Sequence, residues 1–170
     1  FARASRPRPP ALLPVAYCFT PNQSEKMMTP VFVYGTLKRG HGNHELLMHG
    51  ARFVGEATTV EGFKIYQHDR PVYPMAKPAP ADCQLRGEVW LVDDRTLAAL
   101  DRLEGNGHFY EREKTPVEVS EQTNAGRLNA RSLCEAWIYI YLGHVDRLHE
   151  CGGMAVETAT RGTRTEYDWR

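Results

Sequence analysis

The chain has 170 residues, of which 42% are hydrophobic and 25% are charged, and its 21 basic residues balance its 21 acidic ones. This length and composition are typical of one globular domain and exclude a wholly disordered, collagen-like or coiled-coil protein. No run approaches the roughly 18 consecutive apolar residues of a membrane span. A formal charge of zero argues against a dedicated nucleic-acid binder, because phosphate contacts require a basic surplus.

Residues 1–27 differ in composition from the rest of the chain. They contain five prolines, which prevent a continuous helix, and residues 1–26 carry a net charge of +3. We expect a disordered tail that stems from an expression remnant or upstream translation, with native synthesis starting at Met27 or Met28. A targeting segment is the alternative. Residues 28–170 are then predicted to form a single domain.

Within that domain the pattern predicts short strands and one clear helix. The apolar run over residues 31–35 ends at a glycine, as a buried strand does. Further strands are predicted over residues 52–60, 63–66, 87–93, 115–120 and 135–142. The proline-rich residues 71–80 must be a loop or an edge strand, and the polar residues 121–132 a loop or a loosely paired hairpin.

The helix is predicted over residues 93–105. Asp93 is a candidate N-cap, three leucines follow at helical spacing, and Gly105 is the terminator. Because strands outnumber helices without regular alternation, we predict an α+β fold with a curled or barrel-like sheet.

The four cysteines are widely spaced, and no CxxC pair occurs among them. A disulfide scaffold would be denser in cysteine, and a zinc site would show paired ligands. We therefore expect reduced thiols and a cytoplasmic location.

A glycine-punctuated turn is predicted at residues 34–43, directly after the first strand. Gly35 permits dihedral angles that other residues avoid, and the amides of Gly35, Thr36 and Leu37 would together hold an anion. The P-loop pattern is absent. A simple tight turn that leads into a helix is the alternative.

Glu104 ends the predicted helix, immediately before Gly105. It follows Leu100 by four residues and so lies beside the apolar stripe. Partial burial and the negative end of the helix dipole would both raise the pKa of its carboxyl, which suits a proton shuttle near neutral pH. The alternative is a solvated glutamate in the last turn.

Residues 108–113 follow this helix and offer two more candidates. Tyr110 has a hydroxyl and an aromatic face, and Arg112 has a donor fork for a carboxylate. A core tyrosine and a structural ion pair are the alternatives. The sequence HELLMH at residues 44–49 resembles a zinc signature, but His44 and His49 lie about 140° apart on a helix, so we expect no metal site.

Four segments, in this order, resemble the gamma-glutamylcyclotransferase-like family, including its gamma-glutamylamine cyclotransferase branch. They are VFVYGTLKRGHGN, then GEVWLVDDRTLAALDRLEG, then YER followed by AWIYIY. The resemblance extends over residues 30–142, and the ending EYDWR is similar to the close of compact bacterial-type members. It implies a small mixed α+β barrel, with one main helix and a few short ones, and a cavity beside the YGTL turn.

The resemblance also implies a reaction, in which the α-amine of a γ-glutamyl compound attacks its own γ-carbonyl and 5-oxoproline is released. Glu104 takes the acid/base position. Residues implied to bind the glutamyl part or to line its pocket are Tyr34, Gly35, Thr36, Leu37 and Tyr110. The implied partner is a small γ-glutamyl-amine or γ-glutamyl-amino acid, with no metal, organic cofactor, nucleic acid or membrane involved.

Two other functions are compatible with the same residues. The domain would be a non-catalytic module that binds a small molecule or another protein, or it would hydrolyse the γ-glutamyl amide with water. The sequence does not indicate the leaving amine or the oligomeric state.

Overall fold

The computed structural model describes residues 28–67, 73–122, 128–158 and 162–169. The predicted tail, residues 1–27, lies outside them. The strands are β1 (Thr29–Val33), β2 (Ala51–Thr59), β3 (Phe63–Gln67), β4 (Met75–Pro78), β5 (Cys83–Val92), β6 (Tyr110–Gln122), β7 (Leu128–Tyr141), β8 (His149–Cys151), β9 (Gly153–Thr158) and β10 (Gly162–Tyr167). The helices are α1 (Glu45–Met48) and α2 (Asp94–Glu104). None of the described helices is both long and apolar enough to span a membrane.

Five strands close into a ring in the order β1-β7-β6-β2-β5. The ring closes because β1 pairs on one side with β7, in parallel, and on the other with β5, antiparallel. The remaining pairs around the ring are antiparallel. The sheet is therefore mixed and ring-like, and the α+β prediction is confirmed.

Two smaller sets of strands extend this ring. The first residues of β5 pair in parallel with β10, which pairs in turn with β9. A separate three-stranded sheet has the order β4-β3-β8. Its edge strand β4 comes from the proline-rich segment, which agrees with the prediction of a loop or an edge.

The core consists of two clusters on opposite sides of the ring wall. Successive residues of β1 alternate between them, so Phe32 belongs to one cluster and Val31 and Val33 to the other. Burial on both faces explains the uninterrupted apolar run of this strand. Leu100 of α2 is fully buried in the second cluster, which holds the helix against the ring.

Helix α2 has the caps that its sequence predicts. Asp93 Oδ1 accepts a hydrogen bond from the amide of Thr96 at 2.7 Å. Gly105 adopts the left-handed conformation, with φ 59° and ψ 49°, and the amide of Asn106 returns to the carbonyl of Asp101. Leu103 differs from expectation, because its side chain is 43% exposed instead of buried in the core.

The other differences concern the second half of the chain. Strand β6 ends at Gln122 and β7 begins at Leu128, so the described residues of the polar stretch belong to two paired strands, in agreement with the hairpin alternative. Strands β8, β9 and β10 were not predicted. Their segments lack a clear alternation of apolar and polar residues, and their pairing depends on partners far away in the sequence.

Candidate active site

The turn after β1 contains four of the predicted site residues, Tyr34, Gly35, Thr36 and Leu37. Gly35 was expected to use dihedral angles closed to other residues, and this expectation is wrong, because its φ is not positive. The structure requires glycine for another reason. A Cβ atom at Gly35 would lie 2.2 Å from Cγ of Pro74, so the proline ring occupies the space that a side chain needs.

Two residues just beyond the turn hold its shape. The backbone amide of Asn43 donates to the carbonyl of Thr36 at 3.0 Å, and its side-chain amide donates to the Thr36 hydroxyl at 2.9 Å. His44 Nδ1 forms a 3.0 Å hydrogen bond with the carbonyl of Leu37. These bonds use carbonyls and a hydroxyl of the turn and leave its amides available.

The amides of Gly35, Thr36 and Leu37 donate to no backbone or side-chain acceptor among the described residues. Backbone amides are obligatory donors, and nearly all that are shielded from water find an acceptor. A turn with three available amides has the donors that an anionic ligand group requires.

Glu104 reaches the same region from a segment about 70 positions later in the sequence. It is the last residue of α2, and the left-handed Gly105 turns the backbone away from the helix axis directly after it. The helix end is held by Asp101, which accepts a hydrogen bond from the Tyr139 hydroxyl at 2.7 Å and forms a 3.1 Å ion pair with Arg112. Arg112 therefore has a structural partner and does not line the cavity described next.

A cavity of about 350 Å³ lies between the turn and the end of α2. It brings together all six predicted site residues, Tyr34, Gly35, Thr36, Leu37, Glu104 and Tyr110. Its other lining residues are Phe32, Val33, Asn43, Tyr73, Pro74, Leu103, Phe109, Tyr139 and Tyr141. The volume lies at the lower end of the roughly 300–1,000 Å³ of small-molecule sites.

Burial raises the pKa of the Glu104 carboxyl from its ordinary value of 4.5 to about 7. The cause is desolvation, since the aromatic and aliphatic walls replace the water that would stabilise the carboxylate. A carboxyl with this pKa exchanges its proton readily at neutral pH, which general acid/base catalysis requires.

The rings of Tyr34 and Tyr110 form walls of the cavity, and their hydroxyls are engaged in hydrogen bonds within the protein. The Tyr34 hydroxyl donates to the carbonyl of Tyr139 at 2.7 Å, and the Tyr110 hydroxyl donates to the carbonyl of Pro74 at 3.1 Å. Burial raises the pKa of both phenols, and the negative charge of Glu104 adds to the effect. Both hydroxyls therefore remain protonated at neutral pH and fix the strand and loop around them.

Several lining residues were not singled out from the sequence. Tyr139 and Tyr141 belong to the aromatic run of β7, where their spacing by two places them on one face of the strand. This alternation is the sequence signal from which Tyr139 and Tyr141 could have been identified as lining residues. Tyr73, Leu103 and Phe109 carried no comparable signal, because scattered exposed apolar residues are ordinary in soluble proteins.

A second cavity, of about 400 Å³, is lined mainly by charged side chains, and none of the predicted site residues line it. Its charges are largely paired with one another, as in Lys38 with Asp168, Arg39 with Glu88 and Arg86 with Glu166. The first cavity is therefore the candidate active site, because a partly buried carboxyl and the turn with available amides both line it.

Comparison with known proteins identifies the family of the chain. The profile of the family described as gamma-glutamyl cyclotransferase, AIG2-like, matches residues 31–158. The gamma-glutamylaminecyclotransferase of Rattus norvegicus is 39% identical over 106 residues, which cover 58% of this chain and 70% of the rat protein. The gamma-glutamylcyclotransferase family protein YtfP of Escherichia coli is 32% identical over 118 residues, covering 69% and 87% of the two chains.

A solved structure shares the architecture. The crystal structure of an AIG2-like protein from Mus musculus superposes with a TM-score of 0.60 at 30% sequence identity, and the match covers 70% of this chain and 80% of the mouse chain. The match to the family profile, the identity to these relatives and the shared fold lead to one conclusion. The chain belongs to the AIG2-like gamma-glutamyl cyclotransferase family.

Proposed function

We propose that the protein is a gamma-glutamyl cyclotransferase that releases 5-oxoproline from a γ-glutamyl-amine or a γ-glutamyl-amino acid. The observation that carries this proposal is the Glu104 carboxyl, whose pKa is raised by burial to about 7 and which lines the same cavity as the glycine turn. The family membership supports the reaction type.

The turn would bind the glutamyl part of the substrate. The available amides of Gly35, Thr36 and Leu37 are suited to its α-carboxylate, and the buried rings of Tyr34 and Tyr110 would pack against its carbon chain. This arrangement would leave the α-amine and the γ-carbonyl of the same molecule close to Glu104.

Glu104 would then move the protons. Its carboxylate accepts a proton from the α-ammonium group, and the free amine attacks the γ-carbonyl to form the new C–N bond of the ring. The resulting carboxylic acid returns that proton to the leaving nitrogen as the original amide bond breaks, and the second proton lost by the ring nitrogen converts the released amine to its ammonium ion. A group whose pKa lies near 7 can serve in both directions.

The need for few functional groups follows from the intramolecular nature of the attack. Nucleophile and electrophile belong to one molecule, so the cavity has only to fold the substrate into a reactive shape. Positioning of this kind lowers the activation free energy by roughly 7–11 kcal/mol.

We also propose a cytoplasmic location. The described cysteines, Cys83, Cys134 and Cys151, are free thiols, and burial raises the pKa of each of them. Such unreactive thiols are compatible with a reducing compartment.

The test is to incubate the purified protein with a panel of γ-glutamyl-amines and γ-glutamyl-amino acids and to quantify 5-oxoproline and free glutamate separately. We expect 5-oxoproline. Glutamate in its place would indicate hydrolysis by water, and binding without either product would indicate a non-catalytic module.

Glu104→Gln tests the role of the carboxyl in the same assay. We expect kcat to fall at least about 100-fold, because the amide cannot accept the proton, while the fold is retained. The control is Glu113→Gln, since Glu113 is exposed on β6 and does not line the cavity. Turnover near the original level in Glu104→Gln would remove Glu104 from its assigned role.

A further inference from the structure

The glycine turn, residues 34–43, is bound to strand β5 by a buried acidic side chain, that of Glu88. The backbone amide of Arg39 donates to Glu88 Oε2 at 3.1 Å, and Arg39 Nε donates to Glu88 Oε1 at 3.0 Å. The indole of Trp90 also donates to Oε2, at 3.0 Å. Glu88 is only 8% exposed, so these three donors replace the water that its carboxylate would otherwise bind.

Strand pairing places Glu88 beside the start of the turn. Glu88 is the partner of Val33, which is the last residue of β1. The two strands approach closely here, because a Cβ atom at Gly87 would lie 2.3 Å from the carbonyl oxygen of Val33. The Glu88 side chain therefore meets the chain shortly after it leaves β1.

The local backbone explains why the amide of Arg39 is available to a side chain. The amide of His41 donates to the carbonyl of Lys38 at 3.1 Å, which closes a four-residue β-turn with Arg39 and Gly40 in its middle. Gly40 has a φ of 81°, which is typical of the third residue of a type II turn. The amide of the second residue has no acceptor inside such a turn, so Glu88 supplies one.

We propose that Glu88 is a positioning residue of the active site, which holds the glycine turn through the Arg39 amide so that the three available amides of the turn meet the α-carboxylate of the substrate. The inference rests on the proposed cyclotransferase function. Glu88 and Arg39 line the second cavity and not the first, so Glu88 acts through the turn and does not contact the substrate.

The contacts of Glu88 extend to a second point of the turn. The ring of Trp90, which donates to Glu88, packs edge-on against the ring of His44 with centroids 5.1 Å apart. His44 Nδ1 forms the 3.0 Å hydrogen bond with the carbonyl of Leu37, whose amide is one of the three available donors. A carboxylate, an indole and an imidazole thus connect the Arg39 amide with Leu37.

The guanidinium of Arg39 is a second tie between the turn and its surroundings. Its Cζ lies 3.8 Å from the centroid of the Phe53 ring, and its Nη2 lies 3.9 Å from Glu56 Oε1. The Arg39 side chain is 42% exposed, so solvent screens its charge interactions. We therefore assign the positioning role to the amide contact, which fixes the backbone itself.

The experiment measures KM and kcat for 5-oxoproline release from γ-glutamyl-methylamide and γ-glutamyl-alanine. Glu88→Met removes the acceptor, whereas Glu88→Gln keeps a carbonyl oxygen for the Arg39 amide and the Trp90 indole. We expect Glu88→Met to raise KM at least about tenfold and to change kcat by less. The reason is that the α-carboxylate keeps its charge throughout the reaction, so its binding stabilises the ground state and the transition state alike. Glu88→Gln should keep KM within about threefold of the original value.

Arg39→Pro tests the amide contact with Glu88 unchanged, and it remains informative where Glu88→Met does not fold. Proline has no amide hydrogen and is favoured at the second position of a type II turn. Arg39→Met is the reference, because both variants lack the guanidinium and only the proline variant lacks the amide hydrogen. We expect KM of Arg39→Pro to exceed KM of Arg39→Met at least about fivefold.

The control is Glu56→Gln. Glu56 lines the same second cavity and lies near Arg39, but its side chain is 57% exposed and accepts no hydrogen bond from the turn in the described part of the chain. KM should stay within about twofold. The pH dependence of kcat should keep the inflection of the original protein in all variants, because Glu88 does not line the cavity that contains Glu104.

Three results would overturn the inference. They are an unchanged KM in Glu88→Met, equal KM values for Arg39→Pro and Arg39→Met, and an equal rise of KM in Glu88→Gln and Glu88→Met. The last would show that the charge of Glu88 and not the amide contact matters. In each of these cases the original protein still releases 5-oxoproline, so the proposed function stands; absence of 5-oxoproline from every γ-glutamyl compound tested would overturn both.

Discussion

Glu104 combines a position at the end of a helix with walls that exclude water, and its carboxyl therefore differs from an ordinary surface glutamate. The position of Glu104 in the sequence predicts two causes of a raised pKa, the helix dipole and partial burial. In the structure desolvation is the cause that raises the pKa to about 7. The same desolvation costs stability when the group is ionised.

We predict a pH-dependent stability difference between the original protein and Glu104→Gln. The pKa of Glu104 is 4.5 in the unfolded chain and about 7 when folded. Between these pH values the folded state holds more protons, so the free energy of unfolding of the original protein falls as pH rises. The variant has no carboxyl to ionise at this position. The free energy of unfolding of Glu104→Gln minus that of the original protein should therefore be about 1–3 kcal/mol larger at pH 8 than at pH 5.

Urea unfolding of both proteins at the two pH values measures this difference, and all other titrating groups cancel in the comparison. Glu113→Gln serves as the control, with a constant offset expected. A constant offset for Glu104→Gln as well would mean that the Glu104 carboxyl titrates as a solvated group.

At the scale of elements, the site depends on the contact between the turn after β1 and the loop that leads into β4. Pro74 occupies the place of a side chain at Gly35, the Tyr110 hydroxyl donates to the carbonyl of Pro74, and the amide of Ala76 donates to the hydroxyl of Tyr34 at 3.3 Å. The loop and the turn therefore define each other's positions.

We predict that Gly35→Ala destabilises the protein by about 1–3 kcal/mol, because the new methyl group displaces the Pro74 ring from a packed wall. Since the turn amides shift with it, kcat should also decrease. Urea unfolding and the 5-oxoproline assay measure the two effects. Gly42→Ala is the matched control in the same turn, where a Cβ atom meets nothing within 4 Å. Equal stability of the two variants would contradict the close approach of Pro74.

At the scale of the whole molecule, the end of the chain is joined to the active-site turn. Lys38 Nζ lies 2.7 Å from Asp168 Oδ1 and donates to the carbonyl of Trp169 at 2.6 Å. The side chain of Lys38 is only 11% exposed. The Trp169 ring packs beside His41, with ring centroids 5.1 Å apart. The turn and residues about 130 positions later in the sequence are therefore held together by an ion pair, a hydrogen bond and a ring contact.

We predict that Lys38 and Asp168 are energetically coupled by about 1–3 kcal/mol, because the pair is largely shielded from water. The measurement is a double-mutant cycle with Lys38→Met, Asp168→Asn and the double variant in urea unfolding. Other interactions of either residue cancel in the cycle. The pair Glu118 and Arg131, whose side chains are 43% and 69% exposed, should show less than about 0.5 kcal/mol. A coupling no larger than this control would contradict the prediction.

Local signals in the sequence determined the parts of the fold that depend on neighbouring residues. The caps of α2 at Asp93 and Gly105 act within three residues of the helix ends, so their chemistry is visible in the sequence. The apolar run of β1 likewise predicts a buried strand without reference to distant residues. Residue chemistry singled out five of the six site residues, and the family resemblance added Tyr34 and the roles of all six. The structure brings the six residues to one cavity, and their roles stay a prediction.

Only the tertiary structure decided the features that depend on distant partners. Strand β10 pairs with β5 across some 80 positions, and the contact of Gly35 with Pro74 spans about 40. The pKa of Glu104 is raised by walls that come from β1, the loop before β4, and β7. Helix caps and hydrophobic periodicity carry no information about which remote segments pack together, because that choice is made by the packing of the whole chain.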